Sequence, residues 1–430
     1  MRGSCKAQKI GACVKVVVTT IGSLGDVHPC VALGLELKRR GHEVVIATSE
    51  FYRQKIVSTG LGFHSIGPKH LSPEDPELLS SIMDPRNGPE NFIRKLLMPH
   101  MRGVYDDLLA ACSGANFLIT GELVFAAPLV AERLGIRWAS CVLAPWQFLS
   151  AHDPSIIGPM PLFALLREAG VMMNRAMKEL GRRQAKSWAE PIYALRKELG
   201  LSAARHPLFE DKCSPYLNLA MFSSEFAKPQ TDWPNHTKTV GFAFYDQQNP
   251  SVGLTDEIKH FLQDGEPPIV FTLGSTAVMN PGSFYSEGKR AAEQLGRRAL
   301  LLTGKGSPGI SGSRDHMVAA YAPFSEIFPY AAVVVHQGGI GTTAQAMRAG
   351  CPQLVVPHAF DQPDNAARIE RLGLGLTLRK GRFNAARGTD RLHRLLSDKR
   401  IRAKAAQVRT LLEEEDGGTA AADAVELACR

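Results

Sequence analysis

The sequence lacks the features that mark several common classes of protein. It has eight cysteines among 430 residues, and none of them stands in a C-x-x-C pair. Neither the cysteines nor the histidines cluster as a zinc site requires. Most cysteines have apolar or small neighbours, which predicts buried thiols in a reducing compartment. A chain of this length builds its core without disulfide bonds, and we expect a cytoplasmic protein without a metal.

Long apolar runs and blocks of one charge are also missing. No run of about 18 apolar residues occurs, so we expect no membrane-spanning helix. The net charge is +8 without a block of like charges, which gives no support to a nucleic-acid surface. The basic N-terminus leads into a short strand-like run and not into the apolar core of a signal peptide. Between Leu166 and Leu199, eight Lys or Arg against four Glu favour a solvated helical face, with weak contact to an anionic membrane as the alternative.

What the chain does contain is a repeated alternation of strands and helices. Val14 to Thr20 and Val44 to Ala47 are typical of strands buried on both faces, and the helical stretch between them ends at Gly41. The pattern begins again at Pro268, where "VFTLGS" repeats the earlier "VTTIGS". The alternation predicts an α/β protein with two Rossmann-like, doubly wound domains facing across a cleft. We expect a first domain over 1–240, a linker over 241–265, a second domain over 266–412 and a C-terminal helix over 413–430 that packs back on the first domain.

The stretch "VVVHQGGIGTTAQAMRAG" indicates an anion site in the second half. A strand ends near His336, Gly338, Gly339 and Gly341 permit a tight turn, and a helix then begins near Thr342. The free amides and the positive dipole end of such a helix favour a diphosphate. A lone histidine is usually a core residue, but the glycine turn behind it favours His336 as a further donor to the phosphate.

Two other loops carry candidate polar groups. Asp361 and Gln362 follow a strand and suit sugar hydroxyls. Asp361 or Asp364 as a helix cap is the alternative, and we expect Asp364 or Asn365 to be the cap, which leaves Asp361 for the ligand. In "GSLGDVHP", Asp26 follows the first strand and can take a proton from an attacking hydroxyl. Asp26 as an N-cap is the alternative, and His28 is a second candidate base.

Taken together, these stretches resemble the nucleotide-sugar-dependent glycosyltransferases of the GT-B fold. "HQGGIGTTAQAMRAGCPQLVVPHAFDQPDNAARIERLGLG" is similar to their donor-binding signature, and "GSLGDVHPCVALGLELKRRGHEVVIAT" is similar to their N-terminal one. The group includes plant secondary-metabolite, sterol, macrolide and glycopeptide enzymes, and the resemblance covers nearly the whole chain. Through "DWP…GF", "VFTLGST" and "GGIG" the chain looks especially similar to bacterial rhamnosyltransferases that act on hydroxyalkanoyl lipids.

The resemblance implies an inverting transfer without a metal or other cofactor, in which a hexose moves from a UDP- or dTDP-sugar to a hydroxyl of a small hydrophobic acceptor. The protein would be a monomer or a homodimer. Asp26 would be the catalytic base, and Trp146 and Phe148 would contact the acceptor. The donor would be held by residues from both domains: Ser23, Gly25, Ser275, Tyr321, Ala322, His336, Gly338, Gly339, Ile340, Gly341, Thr342, Asp361 and Gln362.

The chain departs from the plant enzymes of this family at three positions. Tyr321 stands where the family usually has a tryptophan that stacks on the base. The acidic partner of the plant catalytic histidine would fall near Thr120 and Gly121, neither of which is acidic, and Glu122 follows them. The glutamate that contacts the ribose is replaced by Ala344.

Two other functions fit parts of the pattern. Gly339, Gly341 and Ala344 satisfy G-x-G-x-x-A, with Asp361 about 20 residues further on, as in NAD(P)-dependent oxidoreductases. That fingerprint normally opens its domain, whereas this one lies several strands into it. A non-catalytic homologue that only binds nucleotide sugars is the other alternative, and Asp26 together with the Asp-Gln pair speaks against it.

Overall fold

A computed structural model of the protein describes residues 13–68, 75–84, 87–156, 167–246, 254–304 and 309–430. Within these ranges the chain forms two parallel β-sheets flanked by helices. The first sheet contains seven strands in the order β3-β2-β1-β4-β5-β6-β7, and the second contains six in the order β10-β9-β8-β11-β12-β13. The predicted α/β class with two doubly wound domains is confirmed. Residues 247–253 of the predicted linker lie outside the described residues.

The first domain alternates strands and helices from its beginning. Its strands are β1 (Lys15–Thr19), β2 (Glu43–Thr48), β3 (Gly62–Ser65), β4 (Phe117–Gly121), β5 (Arg137–Val142), β6 (Leu217–Ala220) and β7 (Thr237–Thr239). Its helices are α1 (Leu24–Arg39), α2 (Arg53–Ser58), α3 (Pro76–Ile82), α4 (Gly88–Glu90), α5 (Met101–Ala111), α6 (Ala127–Leu134), α7 (Val171–Ala185) and α8 (Glu190–Glu198). A π-helical segment, Asn91–Leu97, follows α4, and a 3₁₀ turn, Pro145–Phe148, follows β5.

The second domain repeats the arrangement. Its strands are β8 (Ile269–Thr272), β9 (Ala299–Leu302), β10 (His316–Ala319), β11 (Val333–His336), β12 (Gln353–Val355) and β13 (Gly375–Thr377). Its helices are α9 (Asp256–Gln263), α10 (Phe284–Gln294), α11 (Phe324–Ile327), α12 (Ile340–Arg348), α13 (Gln362–Arg371), α14 (Ala385–Ser397), α15 (Lys399–Glu413) and α16 (Gly417–Cys429). Among the helices of the described ranges, none is both long and apolar enough to cross a membrane.

Buried aliphatic side chains explain why the central strands form. In β1, Val16, Val17 and Val18 are fully buried, because helices cover both faces of the sheet. The central strands of the second sheet are equally apolar, and Val333 to Val335 of β11 are fully buried. This two-sided burial fixes the strands in register and leaves the loops at their carboxyl ends to carry function.

The strand order locates a ligand crevice in each domain. The chain reverses direction of winding between β1 and β4 in the first sheet and between β8 and β11 in the second. Loops that follow neighbouring strands at such a switch point splay apart and leave room for a ligand. The loops after β1 and β4 and those after β8 and β11 are therefore the places to look for a site.

The two domains share an apolar interface. One cluster of buried side chains joins Phe222 and Trp233 of the first domain to Met347 and Ile369 of the second. Beside it, the fully buried Arg368 forms ion pairs with Asp364 of its own helix and with Asp153 of the first domain. The C-terminal helix α16 packs against α1 of the first domain, where its alanines join the core.

Candidate active site

The switch-point loops of both domains line one large cleft. Its cavity measures about 2270 Å³, which exceeds the roughly 300–1,000 Å³ of a typical single-ligand pocket. The first domain contributes the loop from Gly22 to Asp26, and the second contributes Gln337 and the turn from Gly339 to Thr342. The cleft has room for two ligands side by side.

Asp26 is fixed at the start of α1 by a capping box. Ser23 is the N-cap, and its Oγ accepts a hydrogen bond from the N–H of Gly25 at 3.2 Å. The Oδ2 atom of Asp26 accepts from the N–H of Ser23 at 2.8 Å. Asp26 is thus the third residue of the helix, which corrects the alternative that it is the N-cap itself. Gly22, at φ +144°, is required here because a Cβ would lie 2.3 Å from Oδ2.

Burial makes Asp26 a stronger base than an exposed aspartate. Desolvation raises its pKa to about 6, against the opposing hydrogen bonds from Ser23, and the charge of Glu122 adds to the rise. Because the bonds from Ser23 fall on Oδ2, the other oxygen is the one that can receive a proton from a ligand. A carboxylate with this pKa is ionised at neutral pH and still able to hold a proton during a reaction.

His28 is less suited to act as the base. Burial and the charge of Lys55 lower its pKa to about 3, so its imidazole is neutral and holds a proton poorly. It packs against the ring of Tyr245 at a centroid distance of 5.2 Å. Between the two candidates, Asp26 has the pKa that matches general base catalysis near neutral pH.

An ion pair lies beside Asp26 on the floor of the cleft. Glu122 follows β4, directly next to β1 in the sheet, and its carboxylate pairs with the ammonium of Lys212. Lys212 also donates to the carbonyl of Gln147 at 3.0 Å. Both side chains of the pair are largely buried, so Lys212 neutralises a charge that would otherwise repel Asp26 more strongly.

The N-terminus of α12 forms the opposite wall. Its N-cap is Gly339, which has no side chain to cap the helix. The N–H of Ile340 donates to Asp361 Oδ2 at 3.3 Å. The next amides, those of Gly341 and Thr342, belong to the first turn and need an acceptor from outside the helix. Gly341 is exposed, and all of these residues line the cavity, as an anion-binding turn requires.

The position of His336 corrects the expectation that it holds the phosphate. Its side chain is fully buried at the end of β11. Its Nδ1 accepts from the N–H of Gly338 at 3.0 Å, and its Nε2 lies 2.9 Å from Gln353 Oε1. Burial lowers the pKa of the imidazole to about 4, so it is neutral and both nitrogens are engaged. Gly338 likewise does not line the cavity. It shapes the turn, because its φ is +91° and a Cβ at this position would lie 2.7 Å from Val355.

Gln337 is the side chain that enters the cleft at this point, and the sequence did not single it out. It follows β11 and lines the cavity between two glycine turns. A Cβ on Gly274 would lie 2.3 Å from its Nε2, and one on Gly339 would lie 2.9 Å from the same atom. Its buried Oε1 has no hydrogen-bond partner among the described residues. Because β11 is buried on both faces, no alternation in the sequence tells which of the two neighbours points into the cleft.

Asp361 and Gln362 follow β12 and line the same cleft. Asp361 occupies the N-cap position of α13, but its side chain does not cap the helix; its Oδ2 accepts from Ile340 and from Asn365 Nδ2. Asp364 does not cap it either, because it pairs with Arg368 in the interdomain network. This corrects the expectation that Asp364 or Asn365 is the cap, since both lie inside α13.

Backbone contacts hold the loop before Asp361 in place. Gln362 Oε1 accepts from the N–H groups of His358 and Ala359 at 2.8 and 3.0 Å. His358 Nδ1 lies 2.8 Å from the carbonyl of Val356, an arrangement in which the ring N–H donates. The buried Nε2 of His358 then carries a lone pair and has no partner within the described part of the chain. His358 lines the cavity beside Asp361 and Gln362 and is a second residue that the sequence did not single out.

Burial and a second carboxylate raise the pKa of Asp361. Desolvation is the larger cause, the charge of Asp26 adds to it, and the pKa reaches about 7. The hydrogen bond from Asn365 opposes the shift. The two carboxyl groups therefore interact electrostatically across the cleft.

Tyr321 marks one end of the cleft. Its ring is 54% exposed and lines the cavity, as do the buried Ala322 that follows it and Ser275 of the loop after β8. Burial and the nearby Glu326 raise the pKa of its hydroxyl. An exposed ring at the edge of a nucleotide-type domain offers a face for a planar base.

Ala344 stands where the resemblance implies a ribose-binding glutamate. It is buried on α12 and offers no polar group to a ligand. Its neighbour Gln345 is half-buried, lines the cavity and donates to Asp246 at 3.2 Å. Gln345 is the polar side chain of α12 that reaches this end of the cleft.

The acceptor residues predicted from the sequence divide between the cleft and the core. Trp146 is half-buried and lines the cavity. Phe148 is a core residue, stacked on Trp233 at 4.3 Å and in contact with Phe222, which corrects its assignment to the acceptor. Residues 157–166, further along the chain, lie outside the described residues. The first-domain side of the cavity is largely apolar and includes Ile66, Phe92, Leu97, Phe125, Trp188 and Leu208.

The cleft between the two doubly wound domains has the first-turn amides of Gly341 and Thr342 on one wall and the carboxylate of Asp26 on the other. This arrangement is typical of proteins that bind a phosphorylated ligand between two domains. Residues 16–146 match the model of the glycosyltransferase family 28 N-terminal domain. Residues 308–419 match the model of the erythromycin biosynthesis protein CIII-like C-terminal domain.

Whole-chain relatives agree with the two domain matches. The chain is 31% identical over 376 residues to O-mycaminosyltylonolide 6-deoxyallosyltransferase of Streptomyces fradiae, a match that covers 84% of each chain. It is 27% identical over 425 residues to sterol 3-beta-glucosyltransferase of Yarrowia lipolytica, covering 94% of this chain and 28% of that protein. The chain therefore spans about a quarter of the length of the yeast relative.

Solved structures share the fold. The calicheamicin glycosyltransferase CalG4 superposes with a TM-score of 0.72 at 18% identity, covering 97% of this chain and 98% of CalG4. The glycosyltransferase VinC in complex with dTDP superposes with a TM-score of 0.67 at 19% identity, covering 96% and 99%. The chain belongs to the nucleotide-sugar-dependent glycosyltransferases of the GT-B fold.

Proposed function

We propose that the protein transfers a hexose from a UDP- or dTDP-sugar to a hydroxyl of a small hydrophobic acceptor, with inversion and without a metal. The observation that carries this proposal is Asp26, ionisable near neutral pH and facing the second-domain loop of Asp361 across the cleft. The 6-deoxyallosyl group in the name of the Streptomyces fradiae relative and the dTDP in the VinC complex support a dTDP-sugar as one form of the donor.

The donor would lie along the second domain. Its diphosphate accepts from the amides of Gly341 and Thr342 and from the side chain of Gln337. Its base packs on Tyr321, and its sugar hydroxyls meet Asp361 and Gln362. The acceptor fills the apolar part of the cavity on the first-domain side, beside Trp146.

Transfer would proceed as a single displacement. The acceptor oxygen attacks the anomeric carbon from the face opposite the diphosphate, and the bond from that carbon to the phosphate oxygen breaks. The hydroxyl proton passes to Asp26, and the nucleoside diphosphate leaves with the bonding electrons. Attack from the opposite face inverts the configuration of the anomeric carbon.

Preorganised donors would stabilise the charge on the leaving diphosphate. The amides of Gly341 and Thr342 belong to residues that line the cleft and would need no reorganisation, and comparable oxyanion donors contribute about 3–4 kcal/mol each. These donors supply the stabilisation for which other transferases use a metal ion. The transfer we propose therefore depends on the amides and on Gln337.

A hydroxy-fatty acid is the second acceptor class that the cavity supports. The cavity is apolar on the first-domain side, where Phe125, Trp188 and Leu208 line it. Such a lining suits an alkyl chain as well as a polyketide or sterol ring. The donor in this case would be a rhamnosyl nucleotide.

A panel of donors and acceptors tests the proposal. UDP- and dTDP-sugars are incubated with phenolic, sterol and hydroxy-fatty-acid acceptors in the presence of a metal chelator, and products are detected by mass spectrometry. A product whose mass increases by one anhydrohexose or anhydrodeoxyhexose, with inverted anomeric configuration by NMR, supports the proposal. Thermal stabilisation by NAD(P) and not by UDP or dTDP would instead favour an oxidoreductase.

A further inference from the structure

Two phenylalanines meet across the cleft beside the reacting groups. Phe92 of the first domain and Phe360 of the second pack edge to face, with ring centroids 6.1 Å apart and an interplanar angle of 67°. Both rings are half-buried and both line the cavity. Phe360 directly precedes Asp361, and the aromatic contact therefore adjoins the sugar-side loop.

The backbone at Phe360 adopts a conformation that bulky residues avoid. Its φ is +57°, in the left-handed region, where a Cβ crowds the following carbonyl. The loop is fixed around it by Gln362, which accepts from His358 and Ala359. Strain of this kind persists where the surroundings over-determine it and is concentrated at functional sites. The strained backbone aims the Phe360 ring at the first domain.

Phe92 stands on an equally unusual element. It belongs to the π-helical segment Asn91–Leu97. π-Helical turns are rare in proteins overall, and those that occur are often found at functional sites. Ile93, Leu96 and Leu97 of the same segment line the apolar side of the cavity. One short segment thus connects the acceptor side of the cleft with the loop that carries Asp361.

We propose that the Phe92–Phe360 pair is an aromatic gate that excludes water from the anomeric carbon. The pair also aligns the π-helical segment Asn91–Leu97, on the acceptor side, with the loop that carries Asp361, on the donor side. Phe92 and Phe360 are positioning residues for the transfer, and this inference rests on the proposed function. With the gate closed, the acceptor hydroxyl is the nucleophile and its proton passes to Asp26. With the gate opened, water attacks the same carbon and gives free sugar, nucleoside diphosphate and a proton on the same carboxylate.

The partition between transfer and hydrolysis tests the gate. UDP-glucose and dTDP-glucose are incubated with and without 1-naphthol, and naphthyl glucoside and free glucose are both quantified. We expect Phe92→Ala and Phe360→Ala each to raise the ratio of hydrolysis to transfer about fivefold or more, and Phe92→Leu to restore most of the difference. Because the two rings act as one contact, Phe92→Ala/Phe360→Ala should have the same ratio as either single variant.

Phe51→Ala is the matched control. Phe51 packs edge to face on Tyr52 at 5.1 Å in the same domain, is half exposed and does not line the cavity. Its ratio should equal that of the wild type. Thermal unfolding identifies any variant that fails to fold; if Phe360→Ala is lost in this way, Phe92→Ala and Phe92→Leu decide the matter.

Equal loss of transfer and hydrolysis in Phe92→Ala, or additive effects in the double variant, would overturn the gate while leaving the proposed function in place. A wild-type protein that neither transfers nor hydrolyses any donor of the wider panel, with any of its acceptors, would overturn the proposed function and the gate with it. The two failures are therefore distinguishable.

Discussion

Asp26 and Asp361 belong to different domains, and the charge of Asp26 raises the pKa of Asp361 across the cleft between them. Burial is the larger cause of the shift and places the pKa of Asp361 near 7 and that of Asp26 near 6. A carboxyl group with a raised pKa is destabilised when ionised. Ionisation of the two carboxyl groups is therefore unfavourable in the cleft, at the place where the donor sugar and the acceptor are proposed to meet.

The raised pKa of Asp361 predicts a pH-dependent stability. The folded state holds this proton up to about pH 7, whereas an unfolded aspartate loses it near pH 4. Stability is therefore present at low pH and is lost as the pH rises through that window. Asp361→Asn removes the ionisation while its amide oxygen can still accept from Ile340, so its melting temperature should exceed that of the wild type at pH 8 and match it near pH 4.

Thermal unfolding from pH 4 to pH 8 measures this difference. The exposed Asp390 on α14 provides the control, since Asp390→Asn should give a curve parallel to the wild type at every pH. A melting temperature of Asp361→Asn that falls below that of the wild type as the pH rises would contradict the claim that the ionised Asp361 destabilises the folded state.

Glu122 is predicted to set the pH range of activity. Its charge raises the pKa of Asp26, so Glu122→Gln should move the acid limb of kcat/KM to lower pH, by about half a unit or more. The variant also leaves the buried Lys212 without its carboxylate, which should lower the melting temperature. The measurement is kcat/KM as a function of pH with the best donor and acceptor of the panel.

A matched variant distinguishes the effect of the Glu122 charge on Asp26 from the effect of removing any one negative charge from the protein. Glu198 pairs with Arg102 on the surface, and Glu198→Gln should leave the acid limb where it is. If Glu122→Gln shifts the limb upward, or if both variants shift it equally, Glu122 does not tune Asp26.

Gln337 and His336 are predicted to have separate roles. Gln337→Ala removes a side-chain donor from the diphosphate and should raise the Kd for UDP or dTDP about tenfold, with little effect on the melting temperature. His336→Asn should lower the melting temperature, because the buried bond to Gln353 is weakened, and leave the Kd of the folded protein within about twofold. Isothermal titration at low temperature measures both constants. A higher Kd for His336→Asn together with an unchanged Kd for Gln337→Ala would instead indicate that His336 binds the phosphate.

The fold could be predicted because its signals are local and repeated. The β-branched runs of β1 and β11 and the twice-used Gly-Ser turn each predict one strand and one loop, and parallel sheets follow from their alternation with helices. The loops at the cleft follow from the strand order, because ligands bind at the carboxyl ends of parallel strands. Asp26, Asp361 and Tyr321 lie in the cleft for this reason.

The orientation of single side chains could not be predicted in the same way. His336 and Gln337 are neighbours at the end of a strand buried on both faces, where period-two patterning gives no information. Phe148 lies in the 3₁₀ turn beside Trp146, and only the contact with Trp233, far along the chain, shows that it belongs to the core. The contact between Phe92 and Phe360 joins two domains and has no sequence signature at all. Long-range packing decides these cases.

Asp26→Asn tests the account most directly, because an asparagine oxygen can still accept from Ser23 and keep the start of α1 intact. The rate of sugar transfer and the Kd for UDP or dTDP are measured on the same preparation. Loss of the general base should lower kcat by about a hundredfold or more while the Kd stays within about twofold. Transfer by Asp26→Asn at nearly the wild-type rate would contradict the claim that this carboxylate deprotonates the acceptor.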